Sequence, residues 1–277
     1  MNISQALDYG VTELTVSESP EVDCQVLLCH VLECSSTYLH AWSDKDLTRE
    51  QKQQFEGLIV ARKQGQPVAH LTGSRGFWSL DLKVTKDTLI PRPDTELLVE
   101  LALSKITAGM QVADLGTGSG AIVLSLATEH PNANFFAMDF SAPALQVANE
   151  NTETNKLSNV KFWQGSWLEA IAVDSFDVIV SNPPYIERDD PHLSQGDVRF
   201  EPITALASGA DGLDDIRIII QQSQACLKAS GWLMIEHGYH QGQQVCKLFE
   251  SAGFTNVSLE QDFGGNDRVV IGQLPVS

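Results

Sequence analysis

Gln111-Val112-Ala113-Asp114-Leu115-Gly116-Thr117-Gly118-Ser119-Gly120 runs into Ala121-Ile122-Val123-Leu124-Ser125-Leu126-Ala127, which reads as a short strand, a glycine-rich turn and an apolar helix. Glycine at alternate positions lets the backbone take unusual φ values and lets a ligand come close to it. A second strand, 134–138, ends at Asp139, about 20 residues beyond the turn, where an acidic side chain of a βαβ unit binds ribose hydroxyls. Gly116, Thr117, Gly118, Ser119, Gly120 and Asp139 are therefore candidate nucleoside ligands. The spacing is G-x-G-x-G rather than the dinucleotide G-x-G-x-x-G, and the loop carries no Lys or Arg for a phosphate. A nucleoside with an uncharged tail, such as S-adenosylmethionine, fits better than a dinucleotide, with a ligand-free tight turn as the plain alternative. Trp167, after the predicted strand Val160-Lys161-Phe162-Trp163, can lie against an adenine or near a sulfonium, which aromatic faces attract; a lone Trp is more often core.

Asn182-Pro183-Pro184-Tyr185 follows directly on Phe176-Asp177-Val178-Ile179-Val180-Ser181, an apolar run that reads as a buried strand. Ligands of open α/β sheets bind beyond the carboxyl ends of strands, so the tetrapeptide is well placed for a site. Its residue types suit transfer to a planar NH2 group. An amide nitrogen is a poor nucleophile because its lone pair is delocalised, by the resonance that gives a peptide bond its barrier of roughly 18–20 kcal/mol. The Asn182 side-chain oxygen and the Pro183 carbonyl can accept the two N–H groups and Tyr185 can stack on the flat group. Pro183 and Pro184 stiffen the turn and add no donors of their own. One neutral hydrogen bond gives about 0.5–1.5 kcal/mol net, whereas orientation of reactants saves about 7–11 kcal/mol. Positioning is thus expected to outweigh acid–base chemistry. The plain alternative is an ordinary proline turn.

Beyond these motifs, strands are expected at 177–181 and 232–236, helices at 93–106, 214–228 and 241–252, and a closing antiparallel pair at 257–262 and 268–273 around Gly264-Gly265-Asn266-Asp267. The alternation of strands and helices implies a mostly parallel sheet. Residues 78–84 alternate with period two and predict a strand or hairpin. The first 70 or so residues look helical and separate. Ser19-Pro20 opens one helix, with Val22, Val26, Leu27, Val31 and Leu32 as its apolar stripe. Thr48-Arg49-Glu50-Gln51 fits a capping box for a second helix, through Phe55, Leu58 and Ile59, ended by Gly65. The polar stretch from Tyr185 to Leu213 is long for a compact domain and is expected to shape a protein-substrate groove. Asp197, Arg199 and Glu201 within it read as orienting or solvated residues, and His192 and His237 as structural, because nothing pairs them as bases.

The chain has 277 residues, 36 acidic against 18 basic, for a formal charge of −18. That argues against an extended phosphate-contacting surface, so no stable nucleic-acid binding is expected. The five cysteines form no C-x-x-C pair; Cys24, Cys29 and Cys34 are spread around a helix and give no metal framework. Such cysteine usage fits a reducing cytoplasm. No signal-like leader or membrane-length apolar run is read.

With the cofactor loop and Asn182-Pro183-Pro184-Tyr185 go further stretches: Pro67-Val68-Ala69-His70-Leu71-Thr72-Gly73, Phe77-Trp78, Ile90-Pro91-Arg92-Pro93-Asp94-Thr95-Glu96, Arg199-Phe200-Glu201-Pro202, Gly209-Ala210-Asp211-Gly212-Leu213 and Glu236-His237-Gly238. Through most of its length the chain resembles the bacterial release-factor glutamine methyltransferases (the HemK/PrmC family), with Ile90 to Glu96 the most specific stretch. The resemblance implies an α/β fold: a Rossmann-like, seven-stranded class I S-adenosylmethionine-dependent methyltransferase domain with a small all-helical N-terminal domain. The expected division is 1–74 for helical substrate recognition, 75–90 for a hairpin linker and 91–277 for methyl transfer. The implied reaction moves a methyl from S-adenosyl-L-methionine to the side-chain amide of Gln in the Gly-Gly-Gln loop of peptide chain release factors. On this similarity Gly116 to Gly120, Asp139, Trp167 and Asn182 contact the cofactor, and Asn182, Pro183, Pro184 and Tyr185 hold the substrate. Ser119 stands where the family usually has Thr. A cytoplasmic monomer is expected. The alternatives are glutamine methylation of a ribosomal protein, adenine-N6 methylation of nucleic acid, for which the same tetrapeptide serves, and a nucleoside-sensing protein that transfers nothing.

Overall fold

The computed structural model describes residues 1–15 and 17–276; Val16 and Ser277, which fall in the expected domains 1–74 and 91–277, lie outside the described residues. The chain divides into two compact units, Met1–Ser74 with Gln195–Phe200, and Arg75–Ser194 with Glu201–Ser277.

The first unit is helical: α1 (Ile3–Glu13), α2 (Pro20–Leu32), α3 (Ser36–Ala41), α4 (Arg49–Lys63) and α5 (Val68–Thr72). Thr48 caps α4 in the expected reciprocal box with Gln51, and Asn2 and Gln5 do the same for α1. Ser19 precedes α2 but makes no side-chain cap bond. The apolar stripe read for α2 is corrected here. Val22 and Val26 are exposed, and the buried face is Cys24, Leu27 and Leu28, which meet Ile3, Ala6, Leu39, Phe55 and Ile59. This helix is apolar on most sides, so periodicity picks no face, and a free Cys packs as a small hydrophobe. Gly10 allows the approach: a Cβ there would stand 2.5 Å from Cys24 Sγ. Arg62 ion-pairs with Asp23 and Asp197, both at 2.7 Å, and Arg199 donates to the Gln64 carbonyl.

The second unit carries the sheet. A two-stranded ribbon, β1 (Ser74–Phe77) and β2 (Leu80–Lys83), precedes a 3-10 turn (Pro93–Thr95) and α6 (Glu96–Leu103). Then follow β3 (Gln111–Leu115), α7 (Ala121–Glu129), β4 (Asn134–Asp139), α8 (Ala142–Thr154), β5 (Val160–Gln164), β6 (Phe176–Ser181), α9 (Asp214–Cys226), β7 (Leu227–Glu236), α10 (Gly242–Ser251), β8 (Thr255–Gln261) and β9 (Asp267–Gln273). The sheet order is β5-β4-β3-β6-β7-β9-β8, parallel except that β9 runs antiparallel to both neighbours. Period-two alternation splits the sheet into two cores. Val112, Phe135, Val178, Val180 and Met234 pack with α6 and α7, while Ala113, Leu115, Ile179, Leu233 and Ile235 pack with α9 and α10.

Three elements depart from expectation: the helix expected at 93–106 is the 3-10 turn Pro93–Thr95 followed by α6, which ends at Leu103. Helix α9 stops at Cys226 rather than 228, and β7 begins at once, with Ser230 at φ +63° where its register against β6 shifts. The apolar spacing of 226–228 suits either element, and the strand wins by pairing. Helix α8 was not anticipated, although Ser141, which accepts from the Ala144 N–H, and a proline in its first turn mark its start.

Asn151 on α8 joins three parts of this unit. Its Oδ1 accepts the Lys83 N–H at 2.7 Å, and its Nδ2 donates to the carbonyls of Lys83 (3.0 Å) and Ser119 (2.8 Å). Asn151→Ala leaves these groups unpaired and is expected to lower unfolding free energy in urea by roughly 1–3 kcal/mol, with weaker binding of a nucleoside cofactor because Ser119 belongs to the glycine turn.

Candidate active site

Strands β3 and β6 are neighbours, with Leu115 in register with Ser181, and strand order reverses between them. The glycine turn and Asn182-Pro183-Pro184-Tyr185 therefore leave the sheet side by side, at the switch point where open α/β sheets bind ligands. A cavity of about 280 Å³ opens there, lined in part by Gly116, Gly118, Asp139, Trp167, Asn182 and Pro184.

The cradle is built by backbone geometry. Gly116, Gly118 and Gly120 all have positive φ (+74°, +56° and +87°), a region open to glycine at no steric cost. The N–H groups of Gly116 and Thr117 both bond the Met138 carbonyl at 2.9 Å, which pins the turn to the end of β4. Thr117, Ser119 and Gly120 do not line the cavity. The Thr117 hydroxyl donates to buried Asp114 (2.6 Å), Ser119 is buried, and Gly120 caps α7.

Asp139 lines the cavity. One of its carboxylate oxygens accepts the Gly118 N–H and the other the Ser141 N–H, each at 2.8 Å. A carboxylate has about four acceptor positions, so acceptor capacity stays available to hydroxyls in the cavity. Burial raises its pKa, opposed by those backbone N–H groups. Trp167 has φ +49°, rare for a large side chain. Its indole N–H donates to Asp215 (3.1 Å), whose other oxygen accepts the Ser208 hydroxyl (2.6 Å). The ring edge lies 3.4 Å from where a Cβ of Gly116 would stand, so glycine leaves room for the indole as a wall.

Asn182 turns its Nδ2 to the Thr95 hydroxyl at 3.1 Å. Pro183 is buried, and Tyr185 points inward, its hydroxyl 3.5 Å from Glu236, the long limit of a hydrogen bond. Burial and the nearby carboxylate raise the tyrosine's pKa, keeping it neutral. The Tyr185 carbonyl accepts from Gln241, and Gly212 lies close enough that a Cβ would meet that carbonyl at 2.2 Å. Glu201 is buried, ion-paired to Arg92 and accepting the Ile90 N–H, which anchors the 90–93 stretch beside Pro202.

Sequence reasoning quoted Thr95, Pro202 and Glu236 within longer stretches without placing them at the site, and it missed Asp215, Ser208 and Phe140. Phe140 is exposed in the cavity wall directly after Asp139, and an apolar residue following a strand-terminal acid was the available signal. Asp215 gave none, since an acid in the first turn of a helix is ordinarily read as a dipole partner.

A mostly parallel seven-stranded sheet in this order with a nucleoside-sized cleft at its switch point defines a class I methyltransferase. Residues 5–73 match the family model of the PrmC N-terminal domain and residues 106–265 that of a methyltransferase domain. The chain is 49% identical over 277 residues to the release factor glutamine methyltransferase of Aliivibrio fischeri, covering 99% of this chain and 98% of that one. With the Escherichia coli protein of the same name it shares 45% over 274 residues, 99% of each. Among solved structures, a methyltransferase from Pyrococcus furiosus aligns with a TM-score of 0.55 at 17% identity, over 80% of this chain and 98% of that one, a likeness of fold. The chain belongs to the release factor glutamine methyltransferases.

Fully buried Asp114 supplies a pH test. Burial, opposed by the Thr117 hydroxyl, pushes its carboxyl from 3.8 up to about 7. The native state then binds more protons than the unfolded chain between these values, so its contribution is full below pH 4 and is lost as pH rises through 7. Asn mimics the neutral form. Asp114→Asn is expected to gain on wild type between pH 5 and pH 8, by roughly 3 kcal/mol at about 1.36 kcal/mol per pKa unit, in urea unfolding at the two pH values.

Proposed function

We propose that the chain transfers a methyl group from S-adenosyl-L-methionine to the side-chain amide nitrogen of the Gln in the Gly-Gly-Gln loop of peptide chain release factors. The observation that carries this reading is the Asn182 carboxamide. Its nitrogen is occupied by Thr95, so its oxygen is the group left to face an incoming amide, beside a nucleoside-sized cavity.

The cavity's chemistry fits the cofactor. Gly116 and Gly118 allow close approach, Asp139 keeps acceptor positions for ribose hydroxyls, and Trp167 offers an aromatic wall. Thr117, Ser119 and Gly120 serve by holding the turn rather than by side-chain contact. The cofactor, when bound, supplies an electrophilic methyl. The chain's own residues orient the acceptor: the Asn182 oxygen and the Pro183 carbonyl take the two N–H groups, and the amide lone pair is turned toward the cavity. Pro184 stiffens that corner. Tyr185, with its hydroxyl drawn toward Glu236, presents ring surface rather than a proton donor. The helical unit acts as the docking module for the protein substrate, and the enzyme works as a cytoplasmic monomer.

The net charge of −18 disfavours the nucleic-acid reading. Methyl-labelled cofactor offered to release factor, to the same factor with its loop Gln replaced, and to adenine-rich DNA separates the substrates. Label is expected in the first alone, and label in DNA refutes the reading. Asn182→Ala is expected to abolish methylation of release factor while cofactor affinity falls much less; normal turnover contradicts the role given to Asn182.

A further inference from the structure

Pro183 and Pro184 carry no N–H, so the chain between Asn182 and Tyr185 cannot be tied to its surroundings by backbone donors. The turn is secured at its two ends instead. At the first, Ser181 is in register with Leu115 and with Ile235 on the two neighbouring strands. At the second, the N–H groups of Tyr185 and Ile186 bond the Leu206 carbonyl at 3.2 and 2.9 Å, and the Tyr185 carbonyl accepts from Gln241 Nε2 at 2.9 Å.

Gln241 stands at the N-cap of α10, yet its side chain makes no cap bond to that helix. Its carboxamide reaches three other places in the backbone. Oε1 accepts the Gly238 N–H at 2.9 Å, and Nε2 donates to the carbonyls of Tyr185 (2.9 Å) and Asp211 (3.3 Å). A backbone N–H can only donate and a carbonyl only accept, so these partners admit one of the amide's two flip states. Two glycines make room for it. At Gly212, with φ +74°, a Cβ would stand 2.2 Å from the Tyr185 carbonyl oxygen and 2.6 Å from Gln241 Nε2. At Gly238 it would stand 3.0 Å from Gln241 Oε1 and 3.5 Å from the Tyr185 ring. The stretches Gly209 to Leu213 and Glu236 to Gly238 thus meet at one side-chain amide.

We propose that Gln241, seated between Gly212 and Gly238, is a positioning residue that fixes the Tyr185 end of the acceptor turn, and through it the aim of the Pro183 carbonyl and the Tyr185 ring at the substrate amide. The inference rests on the acceptor role given to Asn182-Pro183-Pro184-Tyr185 above.

The reason lies in what proline leaves free. Its ring locks φ but not ψ, and ψ sets the direction of a residue's carbonyl. With the chain held at Ser181 and again at Tyr185, the ψ angles of Pro183 and Pro184 follow from the span they must close. Without Gln241 the Tyr185 carbonyl has lost its tie, and the Pro183 carbonyl loses its aim with it. The bonds to Leu206 remain, so the fold persists while the geometry of the acceptor slackens.

The test uses full-length enzyme with intact release factor and S-adenosylmethionine, and reads kcat, KM for the factor and cofactor Kd. Gln241→Met keeps the side chain's length and removes its hydrogen bonds. It is expected to lower kcat by about tenfold to a hundredfold, the scale on which misplacement of a reacting group acts, with KM and cofactor Kd within about threefold of wild type. Gly212→Ala drives a methyl group into the same carbonyl and is expected to give the same split. Gly253→Ala is the control: φ there is +82°, so the backbone strain is alike, but a Cβ would meet nothing within 4 Å. Its kcat should equal that of wild type. If Gln241→Met does not fold, Gln241→Glu decides at pH 8, because the ionised acid keeps the bond to Gly238 and offers Tyr185 no donor. Wild-type kcat in the folded Gln241 variant, a loss carried by KM alone, or an equal loss in Gly253→Ala overturns the positioning role. Asn182→Ala run alongside separates the failures: an inactive Asn182→Ala with a normal Gln241→Met refutes this inference alone, whereas a normal Asn182→Ala refutes the acceptor role too.

Discussion

The Ser181 hydroxyl donates to the Leu115 carbonyl at 2.7 Å, buried between the last residues of two parallel strands. That contact, with the β3–β6 register it closes, decides where every functional group stands. One residue further along each strand the backbone leaves the sheet, on one side into the glycine turn and on the other into Asn182. A shift of one residue in this pairing would carry Ser181 to the other face and separate the glycine turn from the Asn182 turn. The apolar runs of β3 and β6, buried on both faces, resist such a slip.

The same end of the sheet collects acids: Asp114 near the end of β3, Glu236 at the end of β7 and Glu201 in the loop, all buried, and half-buried Asp139 at the end of β4. Burying a carboxylate is costly unless something answers it. Here each acid is answered by a group that also shapes the site. Thr117 meets Asp114 and fixes the turn, Gly118 and Ser141 meet Asp139, Arg92 and the Ile90 N–H meet Glu201, and the Tyr185 hydroxyl meets Glu236. Stability spent on burying charge is recovered as orientation. Burial pushes two of them, Asp114 and Glu236, up to about 7, and acids shifted in this way are common at functional sites.

How much of this was legible in the sequence follows from the range of the interactions. Gln111 to Ala127 and Phe176 to Tyr185 carry local signals, glycine freedom, proline stiffness and strand periodicity, and these located the sheet, the glycine turn and the proline turn after β6. Thr48 and Gln51 likewise announce a capping box three residues wide. Contacts made across long separations were silent. Nothing local to Thr95 says that its hydroxyl leaves its own helix for Asn182, 87 residues on. Trp167 was visible as an aromatic after a strand, but not the Asp215 that orients it from α9. Cys24 displaced the valines of α2 from the core because a helix apolar on most sides leaves the choice of face to its neighbours. Gln195–Phe200 belongs with the helical unit through Arg62 and Asp197, a pairing between distant segments that composition does not reveal.

The central claim is geometric: a rigid corner after β6 grips a carboxamide with its nitrogen aimed at the cavity that holds the methyl donor. A crystal structure of the enzyme with the demethylated cofactor product and a Gly-Gly-Gln release factor tests it directly. The account predicts the Gln nitrogen facing the cofactor sulfur, one N–H donated to Asn182 Oδ1 and the other to the Pro183 carbonyl. A Gln side chain bound away from Asn182, or an Asn182 oxygen turned to Thr95, would contradict it.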